Sequence, residues 1–232
     1  MKGKVLSLAM MTLLTGCNGW VKPETDSQLT SRYFTVTSGL PVPGLIVASA
    51  VQWNADYAVT AGHVPYLSSQ VYSCSTRCDL VFIKHKASGP LPNWRSARNG
   101  EEVTALGSSS LLIPMSSHGR YWPVPYVNLN ERNNEMYGIH DAALAQGMSG
   151  GPLIGNDGDV LGINIGYQGT TFRGISHPGL KGAKRVSVFV PYAVIEREWK
   201  LFQARMAQQG QAKGKDGVPL AEQPRPVSGS GV

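Results

Sequence analysis

The chain has 232 residues, 42% hydrophobic and 16% charged, which is enough apolar side chain for one full core or a core split in two, and excludes a wholly disordered protein. Its 27 glycines and 15 prolines are scattered between short apolar runs, a pattern that favours an all-β chain of short strands and tight turns. Taking the leader residues Lys2 and Lys4 from the 21 basic residues leaves 19 against 15 acidic ones, and no Lys/Arg run interleaved with aromatics occurs, so no nucleic-acid partner is expected.

Residues 1–16 read as a secretory signal: two lysines, an apolar run over residues 5–14, then small residues. At about ten residues, rising roughly 1.5 Å each in a helix, the run is too short to cross a hydrocarbon core of about 30 Å. Leu14, Thr15, Gly16 and Cys17 resemble a bacterial lipobox, which makes Cys17 the expected lipidated first residue and a lipid bilayer the expected partner. The alternative is a plain secretory signal with an incidental cysteine. Asn18 follows the cysteine where an aspartate is lacking, so in a Gram-negative cell the expected location is the envelope, anchored to the outer membrane and facing the periplasm. Residues 17–30 are expected to form a tether: from Asn18 to Thr30 the sequence is polar and without apolar period, and those thirteen residues reach roughly 43 Å when extended.

Three islands follow in chain order. An apolar strand over residues 45–53, the turn Asn54, Ala55, Asp56 and a second strand end in the small-residue corner Thr60, Ala61, Gly62, His63. Such a corner fixes a backbone and leaves room for a ring, so His63 is a candidate general base; alone, it would as readily be a structural histidine. Cys74 and Cys78 flank three residues that suit a hairpin tip, and in an exported protein such a pair is expected to form a disulfide. Metal binding by the pair would need more ligands than lie near it. Asp79 then heads the apolar run Leu80, Val81, Phe82, Ile83, where a carboxylate is costly to bury unless a donor such as a histidine ring meets it. Its other reading is a turn residue.

The third island, residues 141–154, is the most specific. Glycines on both sides of Ser149 permit a turn whose Gly147 and Ser149 amides aim at one point, the geometry of an oxyanion hole around a nucleophile. The order His63, Asp79, Ser149 is that of a chymotrypsin-type triad.

Residues 59–64 (Val-Thr-Ala-Gly-His-Val), 79–84 (Asp-Leu-Val-Phe-Ile-Lys) and 141–153 (Asp-Ala-Ala-Leu-Ala-Gln-Gly-Met-Ser-Gly-Gly-Pro-Leu) resemble the trypsin-like serine proteases, and most closely the protease domain of the HtrA or Deg enzymes of bacterial envelopes. Residues 100–107, 162–164 and 188–191 extend the resemblance, which spans about residues 33–201. It implies two six-stranded antiparallel β-barrels with the site between them. In that scheme a peptidase domain over residues 31–207 has a first barrel at about 31–92 with His63 and Asp79, and a second at about 94–190 with Ser149. The amphipathic stretch at about 192–208 is expected to be a closing helix, and the Gly-, Gln- and Pro-rich residues 209–232 a disordered tail.

The resemblance further implies an endopeptidase acting on polypeptide substrates, with no cofactor and no metal. Ala143, Leu144, Ala145, Ile163 and Asn164 would line its primary pocket, and none is charged, which argues against cleavage after Lys or Arg. Two departures stand out. Only 16 residues separate His63 from Asp79, so the first barrel must be trimmed, and no peptide-binding PDZ module follows within this sequence. Oligomeric state is not legible. The competing readings are a catalytically silent, lipid-anchored binding module on the same fold and an esterase-type acyl hydrolase.

Overall fold

The computed structural model describes residues 20–39, 46–127, 135–169, 178–180, 183 and 185–215. The expected signal over 1–16, the expected lipidation site Cys17 and the tail from residue 216 lie outside these residues. Chain order is β1 (Lys22–Pro23), α1 (Ser27–Thr30), β2 (Phe34–Ser38), β3 (Ile46–Gln52), β4 (Tyr57–Thr60), β5 (Gln70–Ser73), β6 (Val81–Lys84), β7 (Glu102–Ser108), β8 (Pro114–Val127), β9 (Met136–His140), β10 (Pro152–Gly155), β11 (Val160–Gly169), a short 3₁₀ turn (Pro178–Leu180), β12 (Arg185–Pro191) and α2 (Tyr192–Lys215).

Strands form where β-branched and small apolar residues alternate between buried faces, as in Ile46–Gln52 and Arg185–Pro191. Turn chemistry joins them. Asn54 Oδ1 accepts from the Asp56 and Tyr57 amides at 3.0 and 3.1 Å, closing the β3–β4 hairpin, and Gly158, at φ +82°, supplies the left-handed residue between β10 and β11.

The strands make two sheets, and here the expected architecture is corrected. Strands β8-β7-β10-β11-β12-β9 close on themselves through β9–β8 pairing into one six-stranded barrel, with β1 added beside β8. The first half is an open five-stranded sheet, β2-β3-β4-β6-β5, rather than a second barrel. Chain length explains the difference: β5 has four residues, and the span from His63 to Asp79 holds no room for another strand. Among the described residues, edges β2 and β5 do not pair. Helix α2 covers the open sheet instead, packing Phe202 on Tyr57 and Tyr72 and Trp199 on Phe82.

Two segments carry structure within their expected tether and tail. Residues within the expected tether are docked, Lys22 and Pro23 pairing with Ser116 and Met115 before a helical turn capped by Asp26. Helix α2 continues to Lys215, past the expected end near residue 208.

The sheets meet at Ser49 of β3, fully buried in an otherwise apolar strand. Its Oγ donates to Gly147 O at 3.0 Å and accepts from Ser108 N at 2.8 Å, while its amide donates to Ser149 O at 2.8 Å. One small polar residue thus ties the open sheet to the barrel at the turn that carries Ser149.

Candidate active site

Strand register brings His63 and Asp79 together. Strands β4 and β6 are antiparallel with Thr60 opposite Val81, so the chain leaving β4 and the chain entering β6 occupy the same end of the sheet. Gly62 makes the approach possible: a Cβ there would stand 3.0 Å from Leu80 N and 3.3 Å from Asp79 Oδ1. The Asp79 carboxylate then holds His63 at two points. Oδ1 accepts from the His63 amide at 2.7 Å, and Oδ2 lies 2.7 Å from ring Nδ1. A carboxylate only accepts, so this contact puts the ring proton on Nδ1 and leaves the Nε2 lone pair for another group. Asp79 is mostly buried and His63 half exposed, so the pair opens on solvent from the imidazole side. The Asp79 amide also donates to Tyr137 Oη in β9 of the barrel, at 3.2 Å.

Ser149 sits in the turn before β10, between Gly147 at φ +97° and Gly150 at φ +82°. Gly150 wedges against the strand end that leads to His63: a Cβ there would fall 2.1 Å from Ser49 O, 2.2 Å from Thr60 Oγ1 and 3.0 Å from Ala61 N. The turn's amides divide into two sets. Met148 N donates to Ala145 O, Gly150 N to Asn164 O and Gly151 N to Met148 O, at 3.2, 2.7 and 3.0 Å. The Gly147 and Ser149 amides donate to no acceptor among the described residues. Nor does a hydrogen bond join Ser149 Oγ to the His63 ring among the described residues.

Of the residues expected to line a primary pocket, Ala143 and Leu144 are buried against Met148, Ala145 is partly exposed, and Ile163 and Asn164 have no exposed surface. Asn164 supports the turn from behind, its Nδ2 donating to Gly151 O and Pro152 O at 3.1 and 3.0 Å. Its Oδ1 meets Nε2 of His140 at 3.0 Å. His140 is fully buried and its Nδ1 has no partner; burial pushes its pKa down to about 4, against the Asn164 hydrogen bond and the Asp141 charge that favour the cation. This neutral His140–Asn164 link behind the Ser149 turn has no motif of its own in the sequence. Only the position of a histidine directly before Asp141 hints at it.

Cys74 and Cys78 form a disulfide, which closes the loop preceding Asp79. Their sulfurs and a Glu135 carboxylate oxygen lie within 4.8 Å of one another. Sulfurs bonded to each other present no thiolate, so this trio does not fit a metal ion.

One closed barrel and one open sheet meet along a seam beside a His–Asp pair and a glycine-flanked serine, and this fold is shared, at low identity, with solved serine proteases. The chain superposes on an HtrA-type protease, AlgW in a serine-to-alanine form with a tripeptide, at a TM-score of 0.59 and 19% identity, covering 74% of this chain and 60% of that one. On the active form of the Rv3671c protease from M. tuberculosis the TM-score is 0.55 at 16% identity, covering 74% and 80%. In sequence it is 36% identical over 104 residues to serine protease HTRA1 of Xenopus tropicalis (41% of this chain, 23% of that protein). It is 37% identical over 95 residues to mitochondrial serine protease HTRA2 of Bos taurus (37% and 20%). The chain thus spans about a quarter of the length of the curated relatives it matches. No protein-family model matches it. No helix among the described residues is long and apolar enough to cross a membrane.

Proposed function

We propose that the protein is a serine endopeptidase in which Ser149 is the nucleophile, His63 the general base and Asp79 the group that orients and charges against His63. The observation that carries this reading is the two-point grip of Asp79 on His63 next to a serine turn with two amides that have no acceptor among the described residues. In this scheme Ser149 Oγ attacks the scissile carbonyl carbon as its proton passes to His63 Nε2. The carbonyl π electrons move onto oxygen, and the Gly147 and Ser149 amides donate to that oxyanion, each such donor being worth about 3 to 4 kcal/mol in the transition state. His63 then gives its proton to the departing amine, leaving an acyl-serine that water hydrolyses by the same steps in reverse roles. The nucleophile-to-base hydrogen bond is one that commonly tightens only when substrate is bound.

Of the five residues expected to line the primary pocket only Ala145 is partly exposed, and it is small and uncharged, which supports an uncharged primary side chain in the substrate. Lipidation of Cys17 completes the reading, placing the enzyme at the bacterial cell envelope, on the outer membrane facing the periplasm, with exported proteins as substrates. Cleavage-site profiling of an envelope proteome with the wild type and with Ser149→Ala tests it. New amino termini after small or medium apolar residues, present only with the wild type, are the expected result; identical peptide sets from the two proteins would refute it.

A further inference from the structure

Glu198 is a carboxylate with no solvent exposure, on the face of α2 that covers the open sheet. An ionised group in such a place must be met by donors, and it is. Oε2 accepts from the Ser75 amide at 2.7 Å and from Tyr72 Oη at 3.0 Å, and Oε1 from Ser75 Oγ at 3.0 Å. Arg197 adds Nε and Nη2 donors to Oε1 at 3.0 and 2.8 Å. Burial raises the carboxyl's pKa, but the Ser75 amide and the Arg197 guanidinium outweigh it and hold the group below the usual carboxylate range.

Three of these five contacts are made to residues of β5 and the loop after it, and they do not stand alone. Arg197 reaches across to Glu135, at 3.1 and 2.6 Å, and Glu135 Oε2 accepts from Thr76 Oγ1 at 2.8 Å. Two consecutive residues, Ser75 and Thr76, are therefore held by two carboxylates that share one arginine. Both lie inside the ring closed by Cys74 and Cys78, and Asp79 is the next residue after that ring. The ring is short and covalently closed, so a shift at Ser75 is passed to Cys78 and to the Asp79 backbone instead of being absorbed by a flexible loop.

Resting on the triad reading above, we infer that Glu198 is a positioning residue: through Ser75 and the disulfide ring it fixes the Asp79 carboxylate where it grips His63. Among the described residues the open sheet ends at β5, with no strand beyond it to set the far side of that loop, and α2 supplies the constraint. The Glu198 side chain has no exposed surface and so does not touch substrate. Its effect is on the orientation of the imidazole, and hence on kcat.

The test is made on the full chain and begins with a readout that needs no substrate, the downfield proton resonance of the His63 Nδ1–H···Asp79 hydrogen bond, assigned by its loss in His63→Ala. Wild type and Glu198→Gln are expected to show it, since an amide oxygen still accepts from the Ser75 amide. Glu198→Ala is expected to lose or broaden it while the protein remains folded, with kcat down at least tenfold, KM within twofold and a displaced acid limb of the kcat/KM profile. Phe202→Leu loosens the same helix without touching Ser75, and it is expected to keep both resonance and profile. If Glu198→Ala fails to fold, the double variant Tyr72→Phe/Ser75→Ala removes two loop-side donors and is expected to broaden the resonance in the same direction. Overturning results are a wild type without the resonance, or a folded Glu198→Ala, or that double variant, with the resonance and pH profile of wild type. A wild type that shows the resonance but hydrolyses no peptide refutes the triad reading, and the resonance series alone then decides the role of Glu198.

Discussion

The closed barrel and the open sheet each carry half of the site, and they hold it by different means. In the barrel the Ser149 turn is fixed by a ladder that runs through its own strands, with Gly150 N on Asn164 O and Asn164 N on Gly151 O at 2.7 and 2.8 Å. Six strands that close on each other leave no free edge, and backbone register sets the turn with support from the Asn164 and Ser49 side chains. In the open sheet, register brings residues 63 and 79 to one end, but the loop entering β6 is finished by side chains: the disulfide, Glu198 and Tyr137. A site half built on ladder bonds tolerates many side-chain changes. The half built on a few side-chain bonds should yield to single substitutions far from the chemistry.

The largest expected effect belongs to the nucleophile proposed for the barrel. Ser149→Ala should lower kcat on the order of 10⁶-fold in a peptide-hydrolysis assay, with unfolding free energy within about 0.5 kcal/mol of wild type, because it deletes one partly exposed hydroxyl. Next comes the open sheet's contribution: Asp79→Asn keeps the shape but supports the wrong tautomer of His63, with a loss on the order of 10⁴ in kcat. Gly150→Ala attacks the seam between the sheets. Its Cβ falls 2.1 Å from Ser49 O at a φ of +82°, so chemical denaturation should show a loss of about 4 kcal/mol.

Acid sharpens the comparison from the barrel side. Unfolded histidine takes up a proton near 6.5 and His140 in the fold only near 4, so between those values the unfolded state binds more protons and stability falls as pH falls. The contribution is whole above about pH 6.5 and lost by about pH 4, on the order of 3 kcal/mol, and His140→Gln should flatten that part of a urea-denaturation series. A smaller loss of stability than those at Gly150 and His140 is expected from the disulfide. Replacing Cys74 and Cys78 by alanine reopens a very short loop, worth about 2 kcal/mol, yet it should depress kcat more than that loss of stability alone implies.

Much of this arrangement is legible in the sequence, for reasons that can be named. The two short strands that carry residues 57–60 and 81–84 are uniform in pattern and neighbours in the sheet, so the meeting of their ends follows. The Cys74–Cys78 bridge follows from spacing in a hairpin tip. The single barrel does not follow, because the resemblance supplies two barrels and only the chain length between His63 and Asp79 argues against the first. Glu198 is invisible for a different reason: within Glu-Arg-Glu-Trp it looks like one more solvated charge on a helix, and its partner amide is 123 residues away. His140 and Ser49 are hidden likewise, as single polar residues in apolar strands whose partners come from other segments. Residues 22–23 pair for too short a stretch to show any period.

The proposed activation of Ser149 by His63 across the seam between the two sheets is open to direct chemical trapping. Labelling with a fluorophosphonate, followed by mass-spectrometric mapping of the modified residue, tests it most directly. The account predicts a single adduct on Ser149 in the wild type, strongly reduced in His63→Ala and absent in Ser149→Ala. A wild type that stays unlabelled across neutral and alkaline pH, or an adduct that persists on another residue in Ser149→Ala, would contradict it.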